Sequence, residues 1–174
     1  MLREKIIAAI EAVGFDEYRE IEATELIFSE DVFASCKANT CGNYGKNHSC
    51  PPLSGDMQKN RNRFTAYKQA IILNKIMFLG NYYEKMEACG HTVAHLLNCL
   101  RESLSDEPVL IAGPGGCDHC DPCAAKTDEP CHFPDQKRYS MEGSGMDIVT
   151  LSRRLNMTYN GGDKKVGFFM VVMY

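Results

Sequence analysis

The chain has 174 residues, 44% of them hydrophobic, which suits one domain that buries its own core without depending on a metal. Its net charge of -4, with no long basic run, argues against nucleic acid as a partner, because phosphate binding asks for clustered Lys and Arg. No apolar run is long enough to cross a bilayer, Ala70 to Leu79 being interrupted by Asn74 and Lys75, so no membrane partner is expected.

The N-terminal stretch MLREKIIAAIEAVGF lacks the apolar region and cleavage site of a secretion signal, and a cytoplasmic location is expected. Leu2, Ile6, Ile7, Ile10 and Val13 share one helical face over residues 2 to 13, and Gly14 suits the left-handed position beyond a helix end. Arg19 to Phe28 alternates as a strand and leads through Ser29-Glu30-Asp31 into a cysteine-bearing loop, 36 to 52. Residues 55 to 67 read as a helix in which Lys59 to Arg63 form a solvated face. Ala70 to Leu73 with Ile76 to Leu79 gives the clearest buried strand.

The longest helix is expected from about Tyr82 to Leu104, with Met86, Cys89, Val93, Leu96, Leu97, Leu100 and Leu104 on its apolar side. Pro108 to Ala112 is a short strand running directly into a second cysteine loop, 113 to 134. Ser140 to Asp147 carries helix-start chemistry ahead of Ile148, Val149, Leu151 and Leu155. Asn160 to Asp163 is a turn, and Val166 to Tyr174 is a buried strand. Strands alternating with helices predict a single layered α/β domain, residues 1 to 174, with a mixed, partly parallel sheet flanked by helices. Both cysteine loops follow predicted strands, so they are expected at the sheet edge where such folds gather their ligand sites.

Seven of the nine cysteines lie in those two loops. An odd total and tight C-x2-C gaps favour metal binding over a disulfide framework. In the second loop Cys117, Cys120, Cys123 and Cys131 are spaced C-x2-C-x2-C-x7-C. Structural zinc usually takes two separated C-x2-C pairs, whereas three thiols at successive gaps of two resemble the bacterial ferredoxin run, so a [4Fe-4S] cluster is favoured over Zn2+. The match is imperfect. Cys131 lies further along than in that run and precedes His132, while the remote Cys50-Pro51 offers a comparable Cys-Pro, so Cys131 and Cys50 can be exchanged between sites.

In the first loop Cys36, Cys41 and Cys50 are spaced C-x4-C-x8-C and leave a fourth position for His48, another residue, water or substrate. On an iron-sulfur centre such a position is an open, Lewis-acidic iron; with zinc and His48 the site is closed and structural.

The motif C-x4-C-x2-Y-G-K-x3-C-P-P ends the first loop with Cys41, Tyr44, Gly45, Lys46, Cys50, Pro51 and Pro52. It is followed by G-x-C-x2-C-x2-C-x7-C-x2-P from Gly115 to Pro134, and by S-M-E-x-x-G-x-D-I from Ser140 to Ile148. From about Cys36 almost to the C-terminus these motifs resemble a family of small cysteine-rich proteins described as predicted metal-binding proteins with a domain of unknown function. The resemblance implies metal binding, most plausibly an iron-sulfur cluster, and implies no settled reaction.

Other residues invite assignment and have simpler readings. His91 and His95 point to the polar side of their helix, and Cys89 faces the core as an inert thiol. His119 and His132 are read as hydrogen-bonding or solvated rather than ligating. Tyr44, Lys46, Asn47, Arg138, Tyr139, Ser140 and Glu142 either line a pocket or brace the loops. The resulting expectation is one or two [4Fe-4S] clusters serving redox chemistry with a partner protein or a small-molecule substrate. A zinc-held binding or regulatory module is the alternative. No catalytic residue is assigned, and oligomeric state is not legible.

Overall fold

The structure is a computed structural model that describes every residue except Asn81, with the helical backbone alone for residues 82 to 84. Among the described residues, β1 (Glu17–Glu22), β2 (Gln69–Phe78), β3 (Leu110–Gly113), β4 (Tyr139–Ser140) and β5 (Lys165–Met173) form one sheet in the order β1-β2-β5-β3-β4. It is accompanied by α1 (Leu2–Val13), α2 (Glu30–Ser35), α3 (Met57–Thr65), α4 (Tyr82–Ser103) and α5 (Ile148–Arg154). The fold is α/β with a mixed sheet.

Side chains alternate across a strand, so the central strands feed two cores. Ala70, Ile72, Phe169 and Val171 face one side with Phe64 of α3 and Leu151 of α5. Ile71, Leu73, Met170 and Val172 face the other with Ile6 and Ile10 of α1 and Val93, Leu97 and Leu100 of α4. Fully burying one such aliphatic side chain contributes roughly 1.5–3 kcal/mol, which explains why β2 runs unbroken through Asn74. That residue is wholly buried, and its Nδ2 donates to Glu17 Oε2 and to the Thr158 carbonyl, each at 2.8 Å.

The sheet is mixed and partly parallel, as expected. β2 and β3 point the same way, but β5 enters between them antiparallel to both, and β1 is antiparallel to β2. The parallel pair is β3 with the two-residue β4, in the register Ala112 to Tyr139 and Gly113 to Ser140. The strand expected from Arg19 to Phe28 also ends early, at Glu22. A single 3-10 turn covers Ala23–Glu25, and Phe28 makes only an isolated bridge to Met146.

The first cysteine loop therefore follows a helix rather than a strand. Ser29 accepts a hydrogen bond from Val32 N and caps α2, whose first turn carries Glu30 and Asp31. The second loop leaves β3 as expected, and Met141 N donates to Gly113 O at 3.0 Å, closing the chain back onto the same edge.

Candidate metal centre

The first loop is shaped by backbone turns. After Cys36–Ala38, Asn39 takes a left-handed conformation, and its Oδ1 accepts from Tyr44 N at 3.0 Å. Gly45 N then donates to Pro51 O at 2.9 Å and Cys50 N to Asn47 O at 3.0 Å, folding the Cys50 end back under the loop. Asn47, Ser49 and Cys50 are all buried.

The two loops meet through Asn47 and Ser49. Asn47 Nδ2 donates to Cys117 O at 2.8 Å, while Cys117 N donates to Ser49 Oγ at 2.7 Å and to Asn47 Oδ1 at 3.3 Å. Asn47 Oδ1 also accepts from Ser49 N and Ser49 Oγ, at 3.0 and 2.9 Å. Close approach depends on Gly116, where a Cβ would lie 2.6 Å from Asn47 Nδ2. On the other side of the turn, buried Arg138 donates to Pro114 O at 3.0 Å and to Gly116 O, and lies 3.5 Å from Asp118 Oδ1. A side-chain amide and a guanidinium thus fix the backbone that presents Cys117.

All nine cysteines are free thiols, and the seven of the loops fall into two groups. Cys117, Cys120, Cys123 and Cys131 surround one small cavity of about 20 Å³ together with Asn47, His48, His119 and Phe133. Cys36, Cys41 and Cys50 line a separate cavity of about 190 Å³, with Tyr44, Ser140 and Glu142 among its other walls. Burial pushes the Cys50 thiol up to about 11, against the lowering effect of the Ser49 hydroxyl, and Cys41 and Cys36 add to the rise. Cys36 is raised by burial and then by Glu142. Cys120 is raised by burial first and then by Cys117, Cys131 and Cys123. A metal at either group must displace these protons, so its binding is pH-dependent.

As the rotamers stand, no three His, Cys, Asp or Glu side chains among the described residues converge at metal-ligand spacing, so binding asks each thiol group to turn inward. The donor set fits a thiophilic centre nonetheless: four thiols share one cavity and three share the other.

Cys50 lines one cavity with Cys36 and Cys41, and Cys131 lines the other with Cys117, Cys120 and Cys123. His48 is not the fourth member of the three-cysteine group. It lines the four-thiol cavity, and its Nε2 meets the Glu129 carbonyl at 2.7 Å. His132 is exposed beside Glu129, and His119 packs edge-on against Phe133. On α4, His91 and His95 are exposed, Cys89 is buried, and Cys99 lies 3.7 Å from His95 Nε2, with no third metal-ligating side chain beside them among the described residues.

The undivided list of pocket or brace residues now separates. Asn47 and Arg138 are braces, and Tyr139 packs on the core between Arg63 and Lys137. Lys46 is exposed. Glu142 is the residue whose importance spacing alone does not reveal. Its carboxylate sits deep among its neighbours while the residue keeps surface open to the cavity. Burial raises its pKa against the opposing hydrogen bonds from Gly115 N and Ser140 Oγ, each at 3.3 Å.

Fold and site define an α/β protein presenting two groups of cysteine thiols on neighbouring loops. The model of a family described as predicted metal-binding protein (DUF2284) matches residues 19–174, and the chain belongs to that family. No curated protein and no solved structure matches it. Among the described residues no helix is long and apolar enough to cross a membrane.

Proposed function

We propose that this protein is an iron-sulfur redox protein. Cys117, Cys120, Cys123 and Cys131 hold a [4Fe-4S] cluster, and Cys36, Cys41 and Cys50 hold a second centre with one position left for substrate. The observation that carries this reading is the division of seven thiols into a group of four and a group of three, the latter facing the larger cavity. Three successive thiols at gaps of two, joined by a fourth across the same cavity, match cluster ligation better than paired zinc knuckles. Bound there, such clusters supply one-electron transfer and, at the three-thiol site, an open Lewis-acidic iron.

The chain's own residues perform the remaining tasks. Asn47 and Ser49 hold the two centres in fixed relation through the Cys117 backbone. Glu142, oriented by Gly115 N and Ser140 Oγ, can hold or release a proton at the cavity wall. The acidic residues Asp118, Asp121, Asp128 and Glu129 around the four-thiol group disfavour added electrons and so keep its potential low. Cytoplasmic residence and a redox partner protein accord with this chemistry.

Zinc is the rival occupant, and the small volume between the four thiols is the observation in its favour: about 20 Å³ is little more than one water's worth. Anaerobic purification separates the two. A brown protein with matching iron and acid-labile sulfide is expected, with Cys120→Ala and Cys36→Ala each removing one centre and leaving the other. A colourless protein with stoichiometric zinc refutes the cluster reading.

A further inference from the structure

The three-thiol cavity has a neighbour. A groove of about 490 Å³ opens on its far side, walled by Met86 of α4, Ile148 and Val149 of α5, Tyr159, and Phe168 of β5. Glu142 lines both spaces. Pro114 and Met141 face the groove while their chain neighbours Gly115 and Ser140 face the thiols, so the partition between the two is a single layer of chain.

Two features select an occupant. The groove is of the size and character of small-molecule sites, which are mostly apolar with a few convergent polar groups. In addition, neither lining contains a Lys, Arg or His among the described residues. The ionisable groups present are thiols, two tyrosines and two carboxyls. Asp147 accepts from Thr150 N and Oγ1 at both of its carboxylate oxygens, at 2.9 and 2.8 Å, whereas the hydrogen bonds from Gly115 N and Ser140 Oγ both fall on Glu142 Oε2 and leave its Oε1 available to a ligand. An anionic ligand would be buried here without a counter-ion, at considerable cost. The 670 Å³ groove at the opposite side of β4 differs, because Arg63, Arg101, Lys137 and Arg138 contribute to it.

We propose that this groove, beside the three-thiol cavity, is a binding site for a neutral or cationic small molecule, its apolar body against Met86, Val149 and Phe168 and its hydrogen-bond-donating end at Glu142, the residue the groove shares with the cavity of Cys36, Cys41 and Cys50. The assignment of chemistry to that end rests on the open-centre reading above; the binding preference does not.

The test is calorimetric titration of the anaerobically purified full chain with 4-phenylimidazole and, separately, 4-phenylbutyrate, with iron and sulfide counted on the same sample. One equivalent of 4-phenylimidazole should bind, and 4-phenylbutyrate about tenfold more weakly or worse. Met86→Lys and Val149→Lys, both on helix surfaces partly open to solvent, should each weaken the former at least about tenfold by placing a charge in the apolar wall, with metal content unchanged. Equal binding of the anion, or binding indifferent to both substitutions, overturns the site. Absence of binding by an iron-loaded protein overturns it while the cluster reading stands. Selective, substitution-sensitive binding by a protein without iron upholds the groove and removes the cluster reading instead.

Discussion

Asn47 is the residue on which the relation between the two thiol groups turns, and Asn47→Ala tests it. The side chain is buried, with 4% of its surface exposed, and serves four hydrogen bonds. Truncation leaves Cys117 O and Ser49 N without these partners, whereas Cys117 N keeps the Ser49 hydroxyl at 2.7 Å. Two stranded backbone groups at about 1–3 kcal/mol each give an expected loss of about 2–6 kcal/mol. At roughly 2–4 °C per kcal/mol for a chain of this length, Tm should fall by about 4–24 °C in metal-free protein. Asn47→Asp keeps the acceptor but sets a buried carboxylate against Cys117 O, so at neutral pH it should cost at least as much as the alanine variant in unfolding while also lowering metal content. The assay is thermal unfolding by circular dichroism, with metal counted on matched samples. A shift below about 1 °C together with normal metal content would show that the loops do not depend on this amide.

Gly116→Ala should destabilise by about 1–3 kcal/mol through overpacking against Asn47, and chemical denaturation should show part of that loss relieved when Asn47→Ala is combined with it. Gly115→Ala, at φ 71 with nothing within 4 Å of its Cβ, should cost only the backbone strain of about 1–2 kcal/mol. Arg138→Ala should cost about 2–5 kcal/mol by stranding Pro114 O and Gly116 O, and Arg138→Lys should recover only part of it because one ammonium does not reproduce the fork; denaturant midpoints read both. Burial alone raises Glu17, but hydrogen bonds from Thr158 N, Asn74 Nδ2 and Thr158 Oγ1 outweigh it and hold the carboxyl below its ordinary value. Its stabilisation is therefore complete above the unfolded carboxyl's range and lost as pH falls through the lower folded value, so Glu17→Gln should flatten the acid limb of a stability-against-pH curve.

Periodicity makes most of the fold legible because buried elements repeat their apolar residues at fixed spacing. The helices holding Ile6 and Ile10, Val93 and Leu97, and Leu151 were of this kind, as were β2 and β5. α2 was not, since six residues with no fully buried side chain offer no period, and its sign was the cap at Ser29 followed by two acidic residues. β4 escaped because a two-residue strand is too short to alternate. Strand order was not legible because nothing local tells β5 to enter between β2 and β3; that choice rests on two-sided burial of Phe169 to Met173, a property of the whole sheet. In the candidate site, cysteine spacing identified both thiol groups, but the membership of Cys50 and Cys131 depends on loop closure through Asn47 and Ser49. A short polar side chain that braces two distant backbones leaves the same trace in a sequence as one that faces water.

That bracing makes the two thiol groups interdependent. Asn47 and His48 line the four-thiol cavity, and Cys50, two residues further on, lines the three-thiol cavity. The backbone between them cannot shift toward one group without moving the other, because Cys50 N is tied to Asn47 O and Ser140 N to Ser49 O. A ligand that orders one thiol group thereby reduces the conformational freedom remaining to the other, and equilibrium linkage requires the effect to be reciprocal. Asn47→Ala, which removes the side-chain link to Cys117 while leaving these backbone bonds and all seven thiols in the chain, is expected to weaken that reciprocity as well as to lower stability, so metal uptake at one group would depend less on occupancy of the other.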